Sequence, residues 1–197
     1  MHEALIKQER PIIHGKLLWN KMTGDGHVLG IRLVNPDQDL PLFSDWLNDP
    51  MLETNWAFQE NFKRIRNHIL HFLESDNRQS FFIVDGDRPI FQFDIFLIHF
   101  HELYFRLPTT SGDCILNYLI LFRQENISLI PTALTMQLDY FFSYPDCRRI
   151  WISIPEEKEE MKSIFTAAGF IYRTSYTARQ QRYALFYLKR AAYATLS

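Results

Sequence analysis

The stretch "SGDCILNYLILFRQENISLIPTALTMQLDYFF", residues 111–142, carries the main fold signal of the chain. Its first third is almost wholly apolar, which is typical of a central strand that is covered on both faces. Polar residues follow from Arg123, and a helix is predicted from about Pro131 to Phe142. Proline is well tolerated in a first helical turn, because its missing amide hydrogen would have no partner there. The stretch therefore predicts a buried strand, a short loop and a helix.

The flanking segments extend this unit to a mixed α/β layer fold. Strands are predicted at residues 30–35, 80–84, 89–100, 148–154, 170–176 and 182–188, and helices at about 37–48, 58–72 and 156–168. The turn Asp85-Gly86-Asp87 predicts a hairpin, and Gly169 predicts the end of the last helix. This order predicts a mixed central sheet of about seven strands with flanking helices. We expect residues 1–29 to be an N-terminal extension and residues 30–197 to be a single domain.

Composition argues against several classes of partner. The net charge is -2 and no Lys/Arg run occurs, so no nucleic-acid partner is expected. No stretch reaches the ~18 apolar residues of a membrane span, and the first residues lack the apolar region of a signal peptide. Cys114 and Cys147 have no metal-type spacing and fit a reduced compartment. We expect a cytoplasmic protein, monomeric or homodimeric, without a metal site.

Three segments resemble one family in the same order. They are "DLPLFSDWLNDP" (39–50) followed by Trp56, "RPIFQFDIF" (88–96) and "GDCILNYLI" (112–120). The helix that ends on "AAGF" resembles the last helix of GNAT acyltransferases. Over roughly residues 30–190 the chain resembles this superfamily, and within it the siderophore-biosynthesis acyltransferases of the aerobactin hydroxylysine O-acetyltransferase and mycobactin lysine N-acyltransferase type.

The resemblance implies a direct transfer reaction. An amine or hydroxylamine acceptor attacks the thioester carbonyl of acetyl-CoA or another acyl-CoA. Such an enzyme holds both reactants in attack geometry and takes a proton from the nucleophile. It also stabilises an oxyanion, usually with a backbone N–H of the central strand, and binds pyrophosphate at a helix N-terminus.

The same resemblance implies three catalytic positions. The family's glutamate corresponds to Asp94, its histidine to Asn117, and its acid before the last major helix to Glu156, with Glu157 as the neighbouring alternative. Asn117 has no titratable nitrogen, so it can orient a reactant but cannot act as a base. An alternative is that Asn117 is a polar residue satisfied within the sheet. Three polar residues at the end of the preceding strand are further candidates for the proton acceptor: His99, His101 and Glu102.

The implied cofactor loop departs from the family. The family loop is (Gln/Arg)-x-x-Gly-x-(Gly/Ala), and its best fit is Ser128–Ala133, with Pro131 at the central glycine. Proline removes one N–H donor and limits close backbone approach. Losing one charge-assisted hydrogen bond costs about 1.5–3 kcal/mol, which weakens cofactor binding without abolishing it. The implied cofactor-binding residues are Ile120, Leu121, Phe122, Arg123, Ser128, Thr132 and Ala133.

Two functions remain open at this point. An active acyl-CoA-dependent transferase predicts a cleft between the central strand and the "RIWISI" strand, with exposed backbone near residue 120. A catalytically reduced binding or accessory protein predicts a closed cleft, or loop N–H groups that face protein.

Overall fold

The computed structural model describes residues 15–54, 66–67, 69–71, 75, 77–100, 107–178 and 180–195. Nine strands form a single sheet: β1 Leu17–Met22, β2 Val28–Leu33, β3 Leu52–Thr54, β4 Arg78–Asp85, β5 Arg88–Leu97, β6 Asp113–Leu121, β7 Arg149–Pro155, β8 Ile171–Ala178 and β9 Gln181–Lys189. The helices are α1 Pro36–Leu47, α2 Gln124–Ile127, α3 Ile130–Ser143, α4 Glu159–Ala167 and α5 Arg190–Tyr193, with a 3-10 turn at Ile98–Phe100. The helix predicted at 58–72 lies largely outside the described residues, of which 66–67 and 69–71 are helical.

The sheet confirms the predicted mixed α/β architecture. The strand order is β1-β2-β4-β5-β6-β7-β9-β8, and β3 pairs with β6 beside this path. In the described part of the chain β6 and β7 run parallel, and the remaining pairs are antiparallel. The sheet has more strands than the seven predicted because β1 and β3 also pair into it. The boundary predicted at residue 30 falls inside β2, and β1 pairs with β2, so Leu17–Met22 and the first residues of β2 also belong to the sheet.

The stretch 111–142 folds as predicted, with one change in its loop. β6 is buried along almost its whole length, and α3 begins at Ile130 with Pro131 in its first turn. Part of the segment predicted as loop is the helical turn α2. Residues 122–123 and 128–129 are the non-helical part of the connection from β6 to α3.

Three apolar clusters cover the faces of the sheet in the described part of the chain, and the side chains of β6 alternate between the two faces. Tyr118 and Ile120 belong to the cluster on the α3 and α4 face. Leu119 and Leu121 belong to the cluster that contains Phe43 and Trp46 of α1. The alternation follows from the two-residue period of a strand. The phenylalanine-rich composition is used mainly in these clusters, where aromatic rings bury large apolar areas.

Candidate functional site

The two central strands separate half-way along their length. β6 and β7 pair from Asp113–Arg149 to Leu116–Ile152, although β6 continues to Leu121 and β7 to Pro155. The strands therefore form a V that opens toward their carboxyl ends. This is the cleft predicted between the central strand and the "RIWISI" strand.

The short strand β3 lies in the mouth of this V. Leu52, Glu53 and Thr54 pair with Leu121, Ile120 and Leu119, and the Phe122 N–H donates to the Met51 carbonyl at 3.0 Å. The Thr54 hydroxyl donates to the Tyr118 carbonyl at 2.8 Å. The prediction that the backbone of Ile120–Phe122 is exposed is therefore wrong. Leu52–Thr54 is too short for its sequence pattern to have indicated a strand.

Two of the predicted catalytic residues are cross-strand neighbours. Asp94 of β5 lies opposite Asn117 of β6 and, on its other side, opposite Ser80 of β4. All three point to the α1 face of the sheet, because Leu119 on the same face of β6 packs in the α1 cluster. The structure thus brings Asp94 and Asn117 together at the level where β6 and β7 separate.

Asp94 is a buried carboxyl group with an incomplete set of hydrogen bonds. It is 1% exposed, and Gln92 Nε2 donates to its Oδ1 at 2.7 Å and to Ser80 Oγ at 2.9 Å. Within the described residues its Oδ2 is buried without a hydrogen-bond partner. Burial raises the pKa of Asp94 to about 7, against the hydrogen bonds from Ser80 and Gln92 and the Arg78 charge. The group is therefore poised to exchange a proton near neutral pH.

Asn117 is the half-buried residue of an otherwise buried strand. Its side-chain amide makes no hydrogen bond to any described residue, so the alternative in which the sheet satisfies it is wrong. An amide that is reachable and unsatisfied can donate to, or accept from, a bound reactant.

The acidic pair after β7 lies apart from Asp94. The Glu156 carboxylate forms an ion pair with Arg182 and accepts from Ser175 Oγ at 3.0 Å. Glu157 accepts from Gln181 Nε2 at 2.9 Å. These partners belong to β8 and β9, so the structure groups Glu156 with that edge rather than with the β5–β6 pair. His99 is exposed in the 3-10 turn, and His101 and Glu102 lie outside the described residues.

Some hydrogen-bond donors of the predicted cofactor loop have no partner within the described residues, and others already donate to groups of the protein. Among the described residues no acceptor pairs with the backbone N–H of Ile130 or Thr132, and Ser128 is exposed. The Ala133 N–H donates to the Leu129 carbonyl at 2.8 Å, and Arg123 Nη2 donates to Asp49 Oδ2 at 2.6 Å. The Arg123 hydrogen bond lowers the pKa of the Asp49 carboxyl.

Asn126 fixes this loop to the hairpin. It is buried, accepts from Arg88 Nη1 at 2.9 Å and donates to the Leu121 carbonyl at 3.3 Å. Its side-chain amide therefore already has partners within the protein. Ser128 and Thr132 remain the side chains of the loop without a bond to another described residue.

The segment Gly112-Asp113 has a structural role. Gly112 has φ +100°, and a Cβ there would lie 2.6 Å from the Asp146 carbonyl oxygen. The Asp113 carboxylate accepts from Arg149, from Trp151 Nε1 at 3.1 Å and from the Thr110 N–H at 3.1 Å. This pair sets the start of β6 against β7, so it determines where the V begins.

A family model described as "Acetyltransferase (GNAT) domain" matches residues 35–177, which is well over half of the chain. The chain belongs to the GNAT acetyltransferase family. No curated protein matches it significantly.

Solved structures show the same fold at low sequence identity. An uncharacterized protein from Bacillus halodurans is similar over 93% of this chain and 95% of its own, with a TM-score of 0.80 and 15% identity. The aminoglycoside acetyltransferase AAC(6')-Ib, solved with paromomycin and acetyl-CoA, has a TM-score of 0.72 at 15% identity, with 84% of this chain and 96% of that chain covered. A chimera of the spermidine N-acetyltransferase SpeG from Vibrio cholerae has a TM-score of 0.68 at 13% identity, with 84% and 98% covered.

The helices in the described part of the chain do not include one with the length and apolar character of a membrane span.

Proposed function

We propose that this protein is an acyl-CoA-dependent acyltransferase that acylates a small-molecule amine or hydroxylamine. The observation that carries the proposal is the V between β6 and β7, with Asp94 and Asn117 in register at its base. Two of the similar structures are N-acetyltransferases of amine-bearing compounds, and one was solved with acetyl-CoA, so the GNAT fold of this chain is compatible with that reaction.

In this proposal the loop after β6 holds the acyl-CoA. The pyrophosphate accepts from the unused N–H groups of Ile130 and Thr132 and from the hydroxyls of Ser128 and Thr132. The residues present fit a pyrophosphate, because these donors lie at the N-terminus of a 14-residue helix. Pro131 reduces the number of donors by one.

The acceptor is proposed to approach from the α1 face, where Asn117 is reachable. The side-chain amide of Asn117 orients the nucleophile. The Asp94 carboxyl, with its pKa near 7, takes the proton either directly after a local opening or through a water molecule. Glu156 forms an ion pair with Arg182 of β9, and in this proposal it does not take the proton.

A thermodynamic and a kinetic measurement test this proposal together. Calorimetric titration of the full chain with acetyl-CoA and with a longer acyl-CoA should give saturable heat. Release of the CoA thiol should then depend on an added acceptor, for which spermidine, kanamycin and hydroxylysine represent three amine classes. Absence of heat with either acyl-CoA at millimolar concentration would refute the proposal.

The position of β3 favours a second candidate function. Because β3 pairs with the β6 edge beside residue 120, the chain has a feature expected of a GNAT-fold binding or accessory protein without catalysis. In that case CoA gives no heat, while amine ligands still bind on the Asn117 side. The same titrations therefore separate the two candidates.

Two finer assignments concern the pathway and the location of the protein. A role in siderophore assembly is supported by the three segments that resemble those acyltransferases, and hydroxylysine is the acceptor that tests it. A cytoplasmic location is supported by Cys114 and Cys147, which are buried free thiols close enough to hydrogen-bond. Two adjacent unbridged thiols fit a reducing compartment.

A further inference from the structure

A second cavity lies at the opposite end of the central strands from the cofactor loop. Its volume is about 440 Å³, and its lining residues are Thr110, Asp113, Arg148, Arg149, Lys189, Arg190 and Ala191. Asp113 begins β6 and Leu121 ends it, so at about 3.3 Å per residue the cavity is roughly 25 Å from the loop that begins α3. The cavity is therefore separate from the V and from the proposed pyrophosphate site.

The charge in this cavity is strongly unbalanced. Arg149 is the one lining cation that is neutralised, because it pairs with Asp113. The Asp113 carboxylate also accepts from Trp151 and Thr110, so its acceptor capacity is largely used. Within the described residues, Arg148, Lys189 and Arg190 have no carboxylate partner. Three cations thus share one small concavity.

Arg190 is the most unusual member of this group. Its Nε and Nη2 are buried, and neither has a hydrogen-bond partner in the described residues. Buried charged donors without an acceptor cost more than neutral ones, so such a group normally marks a missing partner. Arg148 and Lys189 are exposed and can close over a bound anion, whereas the Arg190 side chain is partly buried.

We propose that this cavity is a second binding site, specific for a compact multivalent oxyanion. A guanidinium presents two parallel N–H groups that match the oxygen spacing of a phosphate or carboxylate, and Lys189 adds a mobile point charge. The volume of about 440 Å³ suits a small molecule. Phosphate esters and polycarboxylates share this chemistry. The site is independent of the proposed acyl transfer.

Titration calorimetry of the full chain with inorganic pyrophosphate, and separately with citrate, tests the site. Saturable binding of either anion is expected, and the tighter of the two identifies the oxyanion class. Arg190→Met should weaken binding by about tenfold or more, since a charge-assisted contact is lost. Lys189→Met should also weaken anion binding. Because Lys189 is exposed, this variant tests the site without a large loss in the stability of the fold.

Two controls separate a specific site from general attraction. Arg173→Met removes an exposed arginine of β8 that has no ion-pair partner in the described chain, and it should leave binding unchanged. The titrations are carried out with saturating CoA, which occupies the pyrophosphate site proposed at the start of α3, so the remaining heat comes from the cavity. Absence of saturable binding under these conditions, or an equal loss in Arg173→Met, would overturn the proposal.

Discussion

Lys158 Nζ lies 2.8 Å from Glu53 Oε1, and this ion pair joins β3 to the segment between β7 and α4. With the hydrogen bond from Thr54 to the Tyr118 carbonyl, it holds β3 across the mouth of the V. The backbone edge that an acyl-CoA arm would use is therefore occupied by the protein itself. If acyl-CoA binds along β6, β3 must move away from the β6 edge. The Glu53–Lys158 ion pair is one of the contacts that this movement would break.

Breaking this pair should strengthen CoA binding. A partly exposed ion pair contributes about 0.5–1 kcal/mol, which corresponds to about two- to fivefold in affinity. Glu53→Gln is the decisive variant, because Lys158→Met also removes a charge that attracts phosphate. Glu159→Gln is the matched control, since it removes the same charge from the Lys162 pair on α4. Weaker CoA binding by Glu53→Gln, measured by calorimetry, would mean that β3 is a part of the binding site.

Asp94 should make stability depend on pH. Its folded pKa of about 7 lies above the value of 3.8 for an unperturbed carboxyl. Below both values the group is protonated in both states and has no effect. As the pH rises from about 4 to 7 the unfolded chain loses its proton first, so stability falls, and above about 7 the loss is complete at up to about 4 kcal/mol.

Asp94→Asn cannot ionise, so it should escape this loss. Its stability relative to the unmodified protein should rise by about 2–3 kcal/mol between about pH 5 and pH 8, measured by urea unfolding. Asp87→Asn, in the exposed hairpin turn, serves as the control. An Asp94→Asn difference that is the same at both pH values would contradict the burial argument.

Asn117 should affect turnover more than substrate affinity. If its amide orients the nucleophile, Asn117→Ala lowers kcat by about tenfold or more with a smaller change in KM. Asn117→His places a titratable ring opposite Asp94 and should raise kcat, within the roughly 10²–10⁴-fold that general-base catalysis provides. Asn20→Ala, on exposed β1, is the control. If Asn117→Ala, Asn117→His and Asn20→Ala all have the same kcat, Asn117 has no role in the reaction.

Gly112→Ala should destabilise the fold without altering any reacting group. Its φ of +100° is unfavourable for alanine, and the new methyl group would meet the Asp146 carbonyl oxygen at 2.6 Å. A loss of about 2 kcal/mol or more in the free energy of unfolding is expected. Gly24→Ala, where no atom lies within 4 Å of an added Cβ, should cost much less. Similar losses for the two variants would show that the start of β6 is not constrained as described.

The sequence predicted the parts of this molecule that follow from local pattern. The apolar run of β6, the Asp85-Gly86-Asp87 hairpin turn and the Gly169 helix end are each determined by residues close together in sequence. The register that places Asp94 opposite Asn117 was not predicted, because the two-residue period of a strand does not determine which residues face each other across two strands. Likewise, β3 has only three residues, and its pairing with β6 depends on contacts more than 60 positions away. The engagement of Arg123 by Asp49 is equally nonlocal.

Pro131 offers the most direct test of the cofactor loop. It is exposed in the first turn of α3 between Ile130 and Thr132, whose N–H groups are unused, so an N–H at position 131 would complete a continuous row of donors. Pro131→Ala restores this donor, and Pro131→Gly restores it and also removes the Cβ that limits close approach. One charge-assisted hydrogen bond is worth about 1.5–3 kcal/mol, so CoA affinity should rise by about tenfold or more in both variants.

Losing the proline should lower the free energy of unfolding by about 0.4–1 kcal/mol, which thermal unfolding can measure separately from CoA binding. Since both variants carry the N–H, equal gains would assign the effect to the donor, and a larger gain for glycine would assign part of it to backbone approach. Unchanged CoA affinity in both would show that the pyrophosphate does not bind at the start of α3.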